Sequence, residues 1–415
     1  MADTTGTSFD RAALRARLAH VADWLAVGVA VAMPWSISIS QILTVAWLAA
    51  LIPTLDLASV RRELQNPAGA LPVLLWLLAL AGMFWADVPW SERLAGLEGF
   101  HKLLVVPLLL AQFRRSERGV YVLYGFLASC TVLLFASWIL MVLWKLWSVY
   151  VPGKLPGILV KDYIAQSTEF MICAVALLGV AADRWREQGR LAGGAVLLAV
   201  LFLGNIFYIA PGRTTLVVLP LLLIIFGFRF FGWRGALAAC LAGGVIAAAA
   251  WAASPFLRGR IMVSFDEVRA YQERSAISSS AIRLEIWKKS FDFVAAAPML
   301  GHGTGSIPEQ FRRAAVGEGV SAMTATHPHN QIFAVAIQLG FLGTAILMTM
   351  WVAHLVLFRW GGLIAWIGIV LVVQNIASAP FNSHLFDSLH GWLYVFGVGA
   401  AGGMALRERR KAQPP

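Results

Sequence analysis

Two short stretches of this sequence carry side chains whose types and spacing could do chemistry. His327-Pro328-His329-Asn330 closes a polar stretch and leads directly into an apolar one. Histidine is the side chain best suited to take up a proton near neutral pH. Pro328 stiffens the approach, and Asn330 is placed to cap the helix that follows. Arg213 lies in Pro211-Gly212-Arg213-Thr214-Thr215, a short turn between two apolar runs. A guanidinium beside a membrane is costly without a partner, and its planar fork matches phosphate oxygens two at a time. The plainer readings are interfacial imidazoles that satisfy helix-end amides and an arginine that snorkels to the lipid surface. The residues alone leave both pairs of readings open, as they do the choice of base between His327 and His329.

Other positions carry less. Lys102 in Phe100-His101-Lys102 and Lys161 in Lys161-Asp162-Tyr163 read as interface anchors or as further substrate contacts. Between residues 254 and 329, Ile282, Ile286 and Phe293 form an apolar stripe at helical spacing. Trp287 stands beside the stripe, and Arg283, Lys288 and Lys289 fall off it. Gly301, Gly303 and Gly305 mark a turn region that contains His302, and Ser306 with Glu309 has the spacing of a capping box. The remaining basic residues of this stretch, Arg258, Arg260, Arg269, Arg274, Arg312 and Arg313, face a comparable set of acids and read as a solvated, salt-bridged loop.

Absences narrow the chemistry. No glycine-rich loop ending in Gly-Lys-Ser/Thr is present, so no nucleotide-hydrolysing motor is expected. No Asp-x-Asp pair lies on the expected outer side and no paired acids fall mid-span, which argues against a metal-dependent glycosyltransferase and an ion-coupled proton relay. No cofactor is expected. Cys130, Cys173 and Cys240 all sit in apolar runs and read as small core residues, without disulfide or zinc spacing.

The elements that must position these residues are membrane helices. Hydrophobic residues make up 59% of the 415-residue chain and charged residues 13%. A soluble domain carries about 25% charged residues, so lipid has to be the solvent. With roughly 20 apolar residues per crossing, the chain reads as all-α and polytopic, with about twelve transmembrane helices. Their expected positions are 22–37, 40–55, 71–86, 100–113, 119–145, 165–183, 191–210, 214–229, 235–253, 330–357, 361–378 and 386–404. Arginine clusters at Arg11/Arg15/Arg17, Arg61/Arg62, Arg114/Arg115/Arg118, Arg184/Arg186/Arg190, Arg229/Arg234 and Arg407/Arg409/Arg410 fall on alternate connections. Arg359 lies on the same side as these clusters, and the short connections of the other side hold only Arg93, Lys102, Lys145, Lys154, Lys161 and Arg213. The bias puts both termini in the cytoplasm. The chain divides into a first helical block at 1–253, a loop cap at 254–329 on the outer face and a second block at 330–415. The net charge of +11 suits anionic lipid or phosphate-bearing substrates, and its spread over both faces argues against nucleic acid.

In this arrangement the chain resembles the bacterial O-antigen ligases, within the superfamily that also holds O-antigen polymerases and O-linked oligosaccharyltransferases. Four motifs in order carry the likeness: Arg213-Thr214, then Ser279-Ser280-Ala281-Ile282-Arg283 followed by Trp287, then Gly301-His302-Gly303-Thr304-Gly305-Ser306, then Pro328-His329-Asn330 with Gly340 and Gly343 beyond. One departure is Gly212, where a serine is common in the superfamily. The resemblance implies a GT-C-like fold with a large helical periplasmic loop in the inner membrane of a Gram-negative bacterium. It implies metal-independent, inverting transfer of a polysaccharide from undecaprenyl pyrophosphate to lipid A–core. Arg213 and Arg283 would hold the pyrophosphate, and His329, or else His327, would be the base. Lys102, Lys161, Trp287 and Asn330 are the further substrate contacts to look for. An O-antigen polymerase usually has two sizeable outer loops and a protein oligosaccharyltransferase a soluble C-terminal region, and neither is apparent. A polysaccharide or lipid transporter would suit the topology, but would want mid-membrane polar groups or internal symmetry.

Overall fold

The computed structural model describes residues 5–147, 155–253, 279–317 and 324–412, together with Met262 and Ala322. Arg258, Arg260, Arg269, Arg274 and Lys154 lie outside the described residues. Helices account for 80% of the chain, and no strand occurs among the described residues. Among the described residues fifteen α-helices follow one another: α1 (Thr5–Ala32), α2 (Ile37–Leu51), α3 (Leu57–Leu64), α4 (Pro67–Gly82), α5 (Trp90–His101), α6 (Val105–Arg115), α7 (Gly119–Trp147), α8 (Tyr163–Arg184), α9 (Gly189–Tyr208), α10 (Arg213–Ala253), α11 (Ser279–Ala296), α12 (Ile307–Arg313), α13 (Gln331–Leu357), α14 (Leu363–Ser378) and α15 (His390–Ala412).

Every expected span has a helix, but the count of twelve is not reached on length and apolarity. Among the described residues seven helical segments are long and apolar enough to cross a membrane, or eight if α3 and α4, bent by 87° at their junction, form one broken span. The short fourth span is α5 and α6 run together through a 3-10 turn at Lys102–Leu104. α14 is apolar but only 16 residues long. The spans expected at 214–229 and 235–253 appear as one assigned helix, α10, yet the chain breaks at Gly232, whose φ of 68° is left-handed. A Cβ on Gly227 would lie 2.4 Å from the Gly235 carbonyl oxygen. Residues eight apart in a straight helix are about 12 Å apart, so the chain doubles back here.

Local sequence sets the helix ends. Ser36, Asp56, Asn66, Asp162 and Asn330 each accept a backbone N–H with the side chain at the start of the following helix. The cap foreseen for Asn330 is therefore present, with Oδ1 accepting from Ile332 and Phe333 at 2.9 and 3.1 Å. The capping box at Ser306 is not. Ser306 is already helical in ψ, its Oγ makes no cap bond, and Glu309 instead pairs with Arg312 and Arg313. The guanidiniums outbid the backbone for that carboxylate because both partners are charged.

The centre of the bundle is α15. Its residues His390–Ala405 are almost all buried although it carries five glycines. Those glycines admit α6: at Gly399, Gly402 and Gly403 an added Cβ would press on Leu109, Leu110 and Phe113. Small residues at a helix contact are how membrane helices approach closely. Of the three cysteines, Cys130 and Cys173 are buried, whereas Cys240 on α10 is exposed and is not a core residue.

α11 and α12 pack on the first half of α13 through Ile286, Phe293, Ile307, Phe311, Ala334 and Ile337. This end of the bundle is called the cap face below. The starts of α5, α8, α10, α13 and α15 gather there, and the opposite end is called the far face.

Candidate functional site

The segment that joins α11 to α12 fixes the cap to the bundle. α13 breaks at Gly340, with φ 61°, and the freed backbone groups bond to the cap rather than to water. Phe341 N donates to Pro298 O at 2.7 Å, His302 N to Ile337 O at 2.8 Å, and Gly303 N to Gln338 O at 2.9 Å. On its other side the segment meets α4, where Thr304 N and Oγ1 donate to Gly82 O and Ala79 O at 3.0 and 2.6 Å. A side chain has no room here: a Cβ on Gly303 would lie 2.4 Å from Ala86 Cα, and one on Gly305 would lie 2.2 Å from Glu92 O. The Gly301-His302-Gly303-Thr304-Gly305 motif is thus a strut between a broken helix and two intact ones. His302 takes part as a turn residue, with Nε2 2.8 Å from Phe293 O.

Arg213 opens α10 and is exposed. The turn before it is pinned from α8: Ser167 Oγ lies 3.0 Å from Thr215 Oγ1, and a Cβ on Gly212 would meet Ser167 Oγ at 2.4 Å. Ser167 therefore fills the space that a side chain at 212 would need, which accounts for the glycine. Arg283, on the first turns of α11, is half-buried and lies within electrostatic range of Arg213. Burial, and then the Arg213 charge, hold the Arg283 guanidinium below its usual pKa, against a smaller opposing pull from Tyr163. Neither arginine pairs with a carboxylate among the described residues. Two unpaired guanidiniums brought together favour a shared anion.

His329 stands beside them. Its φ of 49° is left-handed, unusual for a residue other than glycine and a mark of a constrained functional backbone. Its ring meets His327 edge-on at a centroid distance of 4.1 Å. Burial first, then His327 and Arg283, push the His329 imidazole down to about 4, while hydrogen bonding with Asn382 pulls it up. The ring is therefore neutral at pH 7, with one nitrogen free to accept a proton.

Both histidines line a cavity of about 740 Å³ that opens on the cap face. α5, α12, α13 and the connection between α14 and α15 wall it. Of the other residues expected to touch substrate, only Lys102 lines this cavity. Its Nζ donates to the carbonyl oxygens of Phe386 and Asp387 at 2.9 and 2.6 Å, so it also pins the α14–α15 connection. Lys161, also left-handed with φ 41°, turns to Met33 O and to the buried Glu169, whose Oε1 lies 3.4 Å away. Trp287 packs against Phe333 in the cap, with its indole N–H buried and unpaired. Asn330 is taken up by its capping bonds. Arg213 and Arg283 do not line the cavity; Arg283 reaches it electrically, through its effect on His329.

Three cavity residues escaped the reading of the sequence: His384, Asp387 and His390. His384 and His390 stack at 4.0 Å with 9° between their planes, and His390 Nδ1 lies 3.2 Å from Asp387 Oδ1. A signal was available, since Ser383-His384-Leu385-Phe386-Asp387-Ser388-Leu389-His390 puts three titratable groups in eight residues. The span was expected to start at 386, which hid two of them inside it. Among the described residues no group of three or more His, Cys, Asp and Glu side chains is arranged to hold a metal ion.

A family described as O-antigen ligase matches residues 197–348. The match contains Arg213, Arg283, the Gly301–Gly305 strut and His327–Asn330. No curated protein matches the chain.

Proposed function

The chain belongs to the O-antigen ligase and polymerase superfamily, and on that premise we propose that it is a ligase that moves a polysaccharide from undecaprenyl pyrophosphate to lipid A–core in the inner membrane. The observation that carries this reading is the pair Arg213 and Arg283, without a carboxylate partner among the described residues and within electrostatic range of one another, beside a neutral His329 that lines a large cavity. The pair suits the diphosphate of the donor. The cavity suits the acceptor sugar. The cap face is then the periplasmic face, in line with the arginine clusters at the opposite end.

The reaction joins an acceptor hydroxyl oxygen to the anomeric carbon of the donor as the bond from that carbon to the phosphate oxygen breaks. The electron pair leaves with the diphosphate, and the two guanidiniums stabilise the charge that develops there. The hydroxyl proton passes to the free ring nitrogen of His329. With the nucleophile entering opposite the leaving group, the anomeric centre inverts. The donor also prepares the base. Burial and His327 depress His329 more than Arg283 does, but a diphosphate beside Arg283 offsets that last contribution, so the imidazole becomes a somewhat stronger base once the donor is bound. The phosphate linkage is already activated, so no nucleotide is consumed.

The test is direct. Purified protein in liposomes is given undecaprenyl-pyrophosphate-linked O-polysaccharide and lipid A–core, without nucleotide and with a chelator. Joined product is expected. Lengthened donor chains would make the protein a polymerase instead, and loss of joining in the chelator would sink the metal-independent mechanism.

A further inference from the structure

The cavity carries a second set of groups that the reaction above does not use. His384 is 3% exposed and His390 is 7% exposed. His384 Nδ1 is bonded to Ser378 Oγ at 2.8 Å, but its Nε2 has no partner. His390 Nε2 is likewise buried without one. A buried ring nitrogen left unbonded is unfavourable, and two such nitrogens in stacked rings on the wall of one cavity call for a ligand that completes them. Ser378 Oγ is also positioned to donate to Asn375 O at 3.2 Å. With its proton so used, His384 Nδ1 is the donor to Ser378, and Nε2 keeps an unshared lone pair on a residue of the cavity wall. Burial, and then His390, hold His384 down at about 3 against the opposing Asp387, which keeps the ring uncharged.

The charges of the cavity point the same way. Glu92, Glu98, Asp162 and Asp387 line it, and among the described residues Lys102 is the single lysine or arginine that does. Glu92 is answered by Arg312 from α12 at 2.7 Å, and the Lys102 ammonium is spent on two backbone carbonyls. The wall is acidic on balance, while the unpaired arginines lie outside it. Trp392 adds an indole to the lining. Hydrogen-bonding rings beside an aromatic surface suit a sugar, which alternates hydroxyl edges with apolar C–H faces. An acidic wall disfavours a phosphate.

We infer that His384 and His390 form the acceptor subsite, and that they bind an unphosphorylated sugar whose hydroxyl hydrogen bonds to His384 Nε2. This rests on the transferase reading for the word acceptor, but the binding claim stands by itself. Donor and acceptor are then sorted by charge: the diphosphate goes to the guanidiniums, and the uncharged sugar ring goes to the imidazoles.

Binding is measured on the detergent-purified full chain, with fluorescently labelled lipid A–core and, separately, with undecaprenyl pyrophosphate. His384→Ala and His390→Ala are expected to weaken lipid A–core binding about tenfold each, the loss of one completed buried bond. His384→Gln, which keeps an accepting oxygen, is expected to recover part of that loss. Undecaprenyl pyrophosphate affinity is expected to stay within about twofold of the parent, which also reports that each variant is folded. Removing phosphate from the core sugars with a phosphatase is expected to tighten binding. Unchanged lipid A–core affinity in both alanine variants, equal weakening for both ligands, or tighter binding of phosphorylated core would overturn the assignment. If the subsite behaves as expected and yet no joined product forms, the ligase proposal fails and the subsite survives.

Discussion

The two ends of the bundle hold cavities of nearly equal size, about 780 Å³ on the far face and about 740 Å³ on the cap face, and both are rimmed by ionisable groups. They differ in how those groups are satisfied. On the far face, Asp23 accepts from Gln112, Ser116 and Arg118, and Gln112 in turn accepts from Trp47. The buried Glu63 pairs with Arg62 and Arg114. On the cap face, Arg213 and Arg283 have no carboxylate among the described residues, and the Nε2 atoms of His384 and His390 are left open. A closed network specifies a fold, whereas an open one is incomplete until something binds. Cavity volume alone would not have told the two faces apart.

The sharpest way to break this contrast is to remove the open groups. Arg213→Ala, Arg283→Ala and His329→Ala are each expected to lower kcat/KM for joining by about 10³-fold or more while the protein inserts normally. Full-length lipopolysaccharide ladders from all three would end the mechanism. Arg283→Lys separates charge from shape, because much retained activity would mean that the two-pronged contact is not needed.

The strut comes next in expected effect. Gly303→Val forces a side chain into Ala86 and should destabilise the fold by about 3 kcal/mol, read as a lowered thermal midpoint in detergent. Lys102→Met frees the α14–α15 connection and should lower joining about tenfold, with insertion unaffected. The titration of His329 sharpens the comparison without any turnover. Followed by NMR of histidine-labelled protein, it is expected at about 4, with the ring neutral above that and charged below. Arg283→Gln removes a neighbouring positive charge, so the transition should move to higher pH. The smallest functional change is expected on the far face. Asp23→Asn should cost a few degrees in thermal midpoint, of order 1 kcal/mol, and leave joining within about twofold.

How much of this was legible beforehand depended on the physics of each part. The helices were, because a span is written into composition along one stretch of chain. Their number was harder, since α14 is short, α5 and α6 join through a 3-10 turn, and α10 folds back at a single glycine. Arg213 and the His327–His329 pair stood out at a turn and a loop end, where polar side chains show against apolar runs, whereas Arg283 and the preference for His329 came from the family resemblance. His384 and His390 were missed because their significance is relational. It lies in stacked rings, unpaired nitrogens and a cavity shared with residues hundreds of positions earlier in the chain. Lys102 was read as an interface anchor or a substrate contact and not as a pin of the α14–α15 connection, since its partners at 386 and 387 are brought to it only by folding. Gly212 stood out as a departure, and only the packing of Ser167 explains it.

The break at Gly340 has a consequence for anyone who would exchange specificity between related chains. The region over the cavity is not a detachable lid, because residues 298–305 supply backbone partners to the interrupted turn of α13 and to the end of α4. A chimera that swaps residues 279–317 alone would leave the recipient's interrupted turn without its partners. Grafts should carry the stretch through Leu342 as one piece, and should match the residue at position 86 to the incoming glycine it touches.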